Sequence, residues 1–151
     1  MVRIIKGLVL KQPWAQLVAE GTIPFLIRPM KTTIRGRIGI ISAGLDEMVQ
    51  IDGEIPTTDK FPIHVALGSV IIHDCRKVSN RRIASVVSKE FGEELWRFYP
   101  KHFISRYSNL YIWYLKKPKL YSTIISIGHR NVRNWVRLNY EEHARIKRID
   151  Q

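Results

Sequence analysis

The chain has 151 residues, 45% of them hydrophobic and 25% charged, a length that carries one domain with a real core and is short for two. No run of about 18 apolar residues occurs, which argues against a transmembrane helix, and the single cysteine, Cys75, leaves neither an internal disulfide framework nor a cysteine-based zinc site. Lys and Arg outnumber Asp and Glu by 25 to 13, a formal net charge of +12, and a surplus of that size favours polyanionic partners through counterion release.

Residues 2–10 are rich in Ile, Val and Leu and read as a first strand buried on both faces. The same stretch lacks the long apolar core and small-residue cleavage site of a secretion signal, so a cytoplasmic protein is expected. Lys11-Gln12-Pro13-Trp14 supplies a helix start, with Pro13 fitting the first turn. Ala15, Leu17, Val18 and Ala19 give that helix an apolar side, and Gly21 stops it. Phe25–Arg28 is extended up to Pro29, Gly36 permits a turn among Lys31, Arg35 and Arg37, and Gly39–Ser42 is a buried strand. From Gly44 to Phe61 the chain turns acidic, and a short helical turn at Asp46–Gln50 followed by a loop is expected.

Pro62 leads into a further strand over Ile63–Cys75, with a bend or bulge at Gly68 that would help close a small barrel. Asn80 can cap a helix over Arg81–Phe98 that is open to interruption at Gly92; its Ile83, Val86, Val87, Phe91, Leu95 and Phe98 recur at helical spacing and read as core. A strand over Tyr107–Lys116, a basic turn at Lys116-Lys117-Pro118-Lys119 and a last strand over Leu120–Ile127 follow. His129–Gln151 reads as a basic C-terminal helical extension that packs partly on the barrel. No repeat, low-complexity tract or linker divides the chain, so one domain over 1–151 is expected.

The order strand, Gln12-Pro13-Trp14 helix, Gly21, Arg28, Arg35-Gly36-Arg37 and Ser42-Ala43 resembles the ASCH domain, a small β-barrel related to the PUA-like RNA-binding folds. Leu67-Gly68 with the strand after it, Tyr111-Ile112-Trp113-Tyr114-Leu115, Lys117-Pro118 and, more loosely, Gly128…Trp135 extend the resemblance. It implies an α+β fold, a small mixed β-barrel of about five to six strands flanked by helices. It also implies a pocket between barrel and first helix that carries the pattern G-x-K-x-x-E-x-R. Gly21 and Arg28 fit that pattern, but Ile23 stands at the Lys position and Leu26 at the Glu position. Some proteins of this type are similar to amidohydrolases of acetylated cytidine that use a Lys-Thr pair; here the pair is Ile23-Pro24. An aliphatic side chain cannot serve as nucleophile, base or oxyanion donor, so no catalytic residue is assigned and binding is favoured over catalysis.

The charge is uneven: residues 1–43 carry +6, residues 44–75 carry −5 and residues 76–151 carry +11. Candidate nucleic-acid contacts are Lys11, Gln12 and Trp14 at the first helix start, whose free amides favour phosphate, then Arg28, Lys31, Arg35 and Arg37. Lys116, Lys117 and Lys119, with Arg130, Arg133 and Arg137, would extend a basic track of backbone contacts. Trp14 either stacks on an unpaired base or packs under the helix, and Arg37 either grips phosphate or faces water. His73-Asp74-Cys75 offers at most two convergent ligands on a strand, and His64, His102, His129 and His143 lack metal-ligand spacing. Glu93-Glu94 and Glu141-Glu142 read as solvated helix acids or partners of Arg. No phosphate-binding Gly-rich loop, nucleophile elbow or zinc motif is present, and neither metal nor cofactor is expected. The function expected is therefore nucleic-acid binding, RNA ahead of DNA, in a basic cleft beside the first helix. The alternatives are a hydrolase on the same fold (a ribonuclease or a modified-nucleoside amidohydrolase) and an adaptor for an acidic protein partner.

Overall fold

Alternating and continuous apolar runs in this sequence resolve into one mixed sheet, seen in a computed structural model that describes residues 6–46, 49–51, 53–99, 101, 104–126 and 135–137. Strands β1 (Lys6–Gln12), β2 (Phe25–Arg28), β3 (Gly36–Leu45), β4 (Val65–Ser79), β5 (Asn109–Ser126) and β6 (Trp135–Arg137) form a six-stranded sheet in the order β2-β5-β4-β3-β1-β6. Only β1 and β3 run parallel; the other pairs are antiparallel. The parallel pair is joined through α1 (Trp14–Ala19) and β2, the long crossover that parallel pairing requires. Helices α2 (Ile83–Phe91) and α3 (Glu93–Phe98) connect β4 to β5, with a short 3-10 turn at Ile104–Arg106. This is the α+β, strand-rich small barrel expected from the sequence. Among the described residues no helix is long and apolar enough to cross a membrane.

The two faces of the sheet carry different aromatic layers because neighbouring residues on β5 point to opposite sides. On the helical side Tyr114 meets Phe91, Phe91 stacks on Phe25 at 4.3 Å, and Phe25 leads through Tyr99 to Trp14 and Phe98. That row joins all three helices to the sheet, as the apolar stripe of the second helical region predicts. On the opposite side lies Trp113, fully buried, stacked on Trp135 at 5.9 Å. Ile40, Ile72, Leu110 and Ile112 fill the centre.

Several local expectations change. The helix over Arg81–Phe98 divides at Gly92, whose φ of +101 a glycine adopts freely. Arg82 rather than Asn80 occupies its N-cap position, with no side-chain cap, while the Asn80 N–H donates to the Ser108 carbonyl. Lys116–Lys119 is no turn between two strands: β5 runs through it as one 18-residue strand with a bulge where Ser69 and Ile71 face Lys119 and Lys116. Lys117 takes up the extra residue with φ of +48. Of the expected C-terminal helix, Trp135–Arg137 is a strand paired with β1, and the remainder lies outside the described residues. The helical turn at Asp46–Gln50 also falls partly outside them, at Glu47 and Met48.

Gly68 does mark an irregularity, as expected. The register shifts on both sides of it, and its Cα passes so close to β5 that a Cβ would collide with the Lys119 carbonyl. Backbone cannot retreat as a flexible side chain can. Gly68→Ala is expected to cost about 1–3 kcal/mol, read as a lower urea midpoint at unchanged m-value; an unchanged midpoint would refute the close approach.

Candidate nucleic-acid interface

The first helix start is occupied by its own side chains. The Gln12 amide oxygen accepts the Gln16 N–H at 2.9 Å, and its Nε2 donates to the Pro62 carbonyl at 2.8 Å. Gln12 is fully buried, so it works as an internal helix cap rather than as a ligand contact. Trp14 is 8% exposed, packs against Phe98 and Tyr99, and donates its indole N–H to Asp46 at 3.2 Å. A ring so enclosed offers no open face to a base, which is the packed alternative of the two read from the sequence for Trp14. Lys11 next to them is exposed.

Arg28 closes β2 and points to the Trp113 side of the sheet, its guanidinium carbon 5.2 Å from the Trp113 ring centre. Burial lowers its pKa, opposed by the Tyr99 charge. The Trp113 indole N–H donates to the Met30 carbonyl at 3.0 Å. Arg28, Trp113, the Met30 backbone and Trp135 thus form one layered contact that ties β2, β5 and β6 together. Arg28 is half-buried within it.

The remaining basic candidates divide by position. Arg35 is exposed but turns its guanidinium onto the carbonyls of Thr32 and Ile34, at 3.0 and 2.9 Å. Arg37 donates to the Ser69 hydroxyl at 2.6 Å and to the Lys117 carbonyl at 3.2 Å. It therefore reaches across β4 to the β5 bulge, where Lys116, Lys117 and Lys119 are all exposed. Pro118 in this run abuts Gly21, where a Cβ would lie 2.8 Å from the proline ring, so the bulge sits against the end of α1. Arg37, Lys116, Lys117 and Lys119 form one basic rim. Lys31 is exposed on the preceding loop. Of the more distant cations, Arg130 and Arg133 lie outside the described residues, and Arg137 pairs with Lys6 on the far edge of the sheet.

The two positions where the sequence pattern calls for Lys and Glu are core here. Ile23 is 1% exposed and Leu26 is 3% exposed. The Asp74 carboxylate accepts the Cys75 N–H and the Arg76 guanidinium, both at 2.8 Å, and the Arg76 bond is the main cause of its lowered pKa. Glu93 pairs with Arg97 at 3.3 Å, one turn on, and Glu94 is exposed.

Sequence reasoning missed a cavity of about 380 Å³ between α2 and the second half of β4, lined among others by Arg76, Lys77, Arg82, Glu90, Asn109 and Tyr114. The Tyr114 hydroxyl donates to Glu90 at 2.6 Å, and Arg76 lies over the Tyr114 ring at 5.4 Å. Burial first, and the bond to Glu90 second, push the Tyr114 hydroxyl up. No sequence reading singled out these residues, because the convergence of β4, α2 and β5 depends on tertiary packing.

No protein-family model matches this sequence, and neither does any curated protein. Solved structures do match. The chain is similar to the ASCH protein from Zymomonas mobilis, with a TM-score of 0.64 over 97% of this chain and 95% of that one at 11% identity. A point variant of that protein gives 0.64 over 99% and 100% at 12% identity. The fold is that of an ASCH domain. It is also similar to the N-terminal domain of McrB from Staphylothermus marinus, with a TM-score of 0.52 and 12% identity over 95% and 93% of the two chains. At these identities the likeness speaks to fold alone.

Within this ASCH fold, Tyr99 locks α3 to the strand that carries Arg28. Its buried hydroxyl accepts the Ile27 N–H at 2.9 Å and donates to the Ile27 carbonyl at 3.3 Å. Burial pushes its pKa from 10.0 up to about 12. A raised folded-state value means that the stabilisation is complete below about pH 10 and is lost as pH rises to about 12. Tyr99→Phe is expected to cost about 1–3 kcal/mol at neutral pH and to flatten the fall in stability over that alkaline window. Urea melts of both proteins at pH 8 and pH 11 check this; parallel losses would refute it.

Proposed function

We propose that this ASCH-type domain binds nucleic acid, single-stranded RNA ahead of DNA, along the basic rim beside the end of α1. The observation that carries this reading is the convergence of Arg37 with Lys116, Lys117 and Lys119, brought about by the β5 bulge. Exposed ammonium groups spaced along a strand suit a phosphate backbone, and Arg37 is held in place by two hydrogen bonds before any ligand arrives. The rim cations stand on strands beside one another, a track along which a single strand's phosphates can lie. The net charge of +12 supplies long-range attraction. RNA is placed ahead of DNA on the resemblance to PUA-like folds. Arg28 contributes from within, by holding β2 and β5 together, rather than as the central contact.

Replacing Lys116, Lys117 and Lys119 together with Ala is expected to weaken single-stranded RNA binding and to flatten the dependence of log K on log salt by roughly 0.7 for each phosphate that is no longer neutralised. Fluorescence anisotropy across a salt series measures both. Arg28→Met is expected to lower stability while leaving the salt slope of the folded protein unchanged. An unchanged slope in the lysine variant would place the interface elsewhere.

A further inference from the structure

We propose that the cavity between α2 and β4 is a nucleotide subsite, taking one unpaired nucleotide of a bound strand with its phosphate on Arg82 and its base against the Arg76–Tyr114 wall. This deepens the nucleic-acid reading and rests on it.

The size and lining suit such a guest. A volume of about 380 Å³ lies at the lower end of small-ligand sites, suited to a compact guest. Arg82 stands across the lining from Glu90, and Arg76 is paired with Asp74, so Arg82 is the cation offered to a phosphate. Bare charge is not all it offers. Arg76 is fixed by its 2.8 Å ion pair with Asp74 and laid over the Tyr114 ring, and a guanidinium plane in that position presents its other face to a second flat π system. Tyr114 orients Glu90 by donating to one carboxylate oxygen, leaving carboxylate lone pairs for a base N–H. Asn109, exposed at the mouth, adds an amide that can both donate and accept. Phosphate, stacking and edge recognition therefore meet in one cavity.

Its position fits a strand bound on the rim. Tyr114 and Lys116 lie two residues apart on β5 and point to the same side, a separation of about 7 Å. A single strand whose backbone follows the lysines can thus turn one base into the cavity without leaving the protein surface.

The test uses the full chain and titrates four nucleoside 5′-monophosphates and inorganic phosphate by calorimetry, with single-stranded RNA followed by anisotropy in parallel. At least one monophosphate is expected to bind about tenfold more tightly than inorganic phosphate, the increment that one stacked base supplies. Arg82→Ala should weaken that binding about tenfold, and Glu90→Gln should change the ranking of the four bases. The Lys116, Lys117, Lys119 triple variant should retain it. Monophosphates that bind no better than inorganic phosphate would overturn the subsite, as would a loss that follows the lysines rather than Arg82. If RNA binds while every monophosphate fails, the subsite falls and the nucleic-acid reading stands; if RNA also fails, the reading beneath it falls too.

Discussion

Trp113 sets the terms for much of this molecule. A tryptophan with no solvent exposure needs a partner for its indole N–H and cover for two large faces, and each requirement recruits a different element. The N–H fixes the backbone after β2 through Met30, Arg28 lies over the ring, and Trp135 brings β6 into stacking contact. A cation–π contact of this kind contributes on the order of 1–2 kcal/mol when water is kept away. The same contact draws Arg28, one of the candidate contacts, into the fold, and the search for a ligand surface moves outward to the exposed lysines of the β5 bulge.

The helical face repeats the logic with different groups. Tyr99 satisfies both backbone groups of Ile27, Gln12 caps α1, and Asp46 takes the Trp14 indole proton in a hydrogen bond. Each of these polar side chains sits where an unpaired donor or acceptor would otherwise be sealed from water, at a cost of about 1–3 kcal/mol apiece. The cleft between barrel and first helix is thereby filled by its own walls near the start of α1. The exposed lysines of the β5 bulge lie by the far end of that helix, where Gly21 meets Pro118.

Much of the fold was legible in the sequence, and much of the site was not, for a physical reason. Gln12, Trp14, Gly21, Arg28, Trp113 and Trp135, the letters that carry the ASCH resemblance, turn out to hold the scaffold: a cap, two buried rings, a helix stop, a cation over a ring and its stacking partner. Periodicity found β3, the break at Gly92 and the irregularity at Gly68, since each follows from local rules. It split β5 at Lys117-Pro118, because a bulge and a turn draw on the same residues and only pairing with β4 separates them. The cavity on α2 had no local signature at all. Arg76, Glu90 and Tyr114 belong to three elements, and what joins them is packing over a register that sequence does not display.

Direct binding to nucleic acid is the property that the rim and the cavity imply together. The most direct measurement is the affinity of the unmodified protein for labelled single-stranded RNA, duplex RNA and duplex DNA, each at low and near-physiological salt. The account predicts single-stranded RNA binding that survives the higher salt and exceeds duplex binding at both. Equal affinities for all three that collapse together with salt would contradict it, and absence of binding even at low salt would end it.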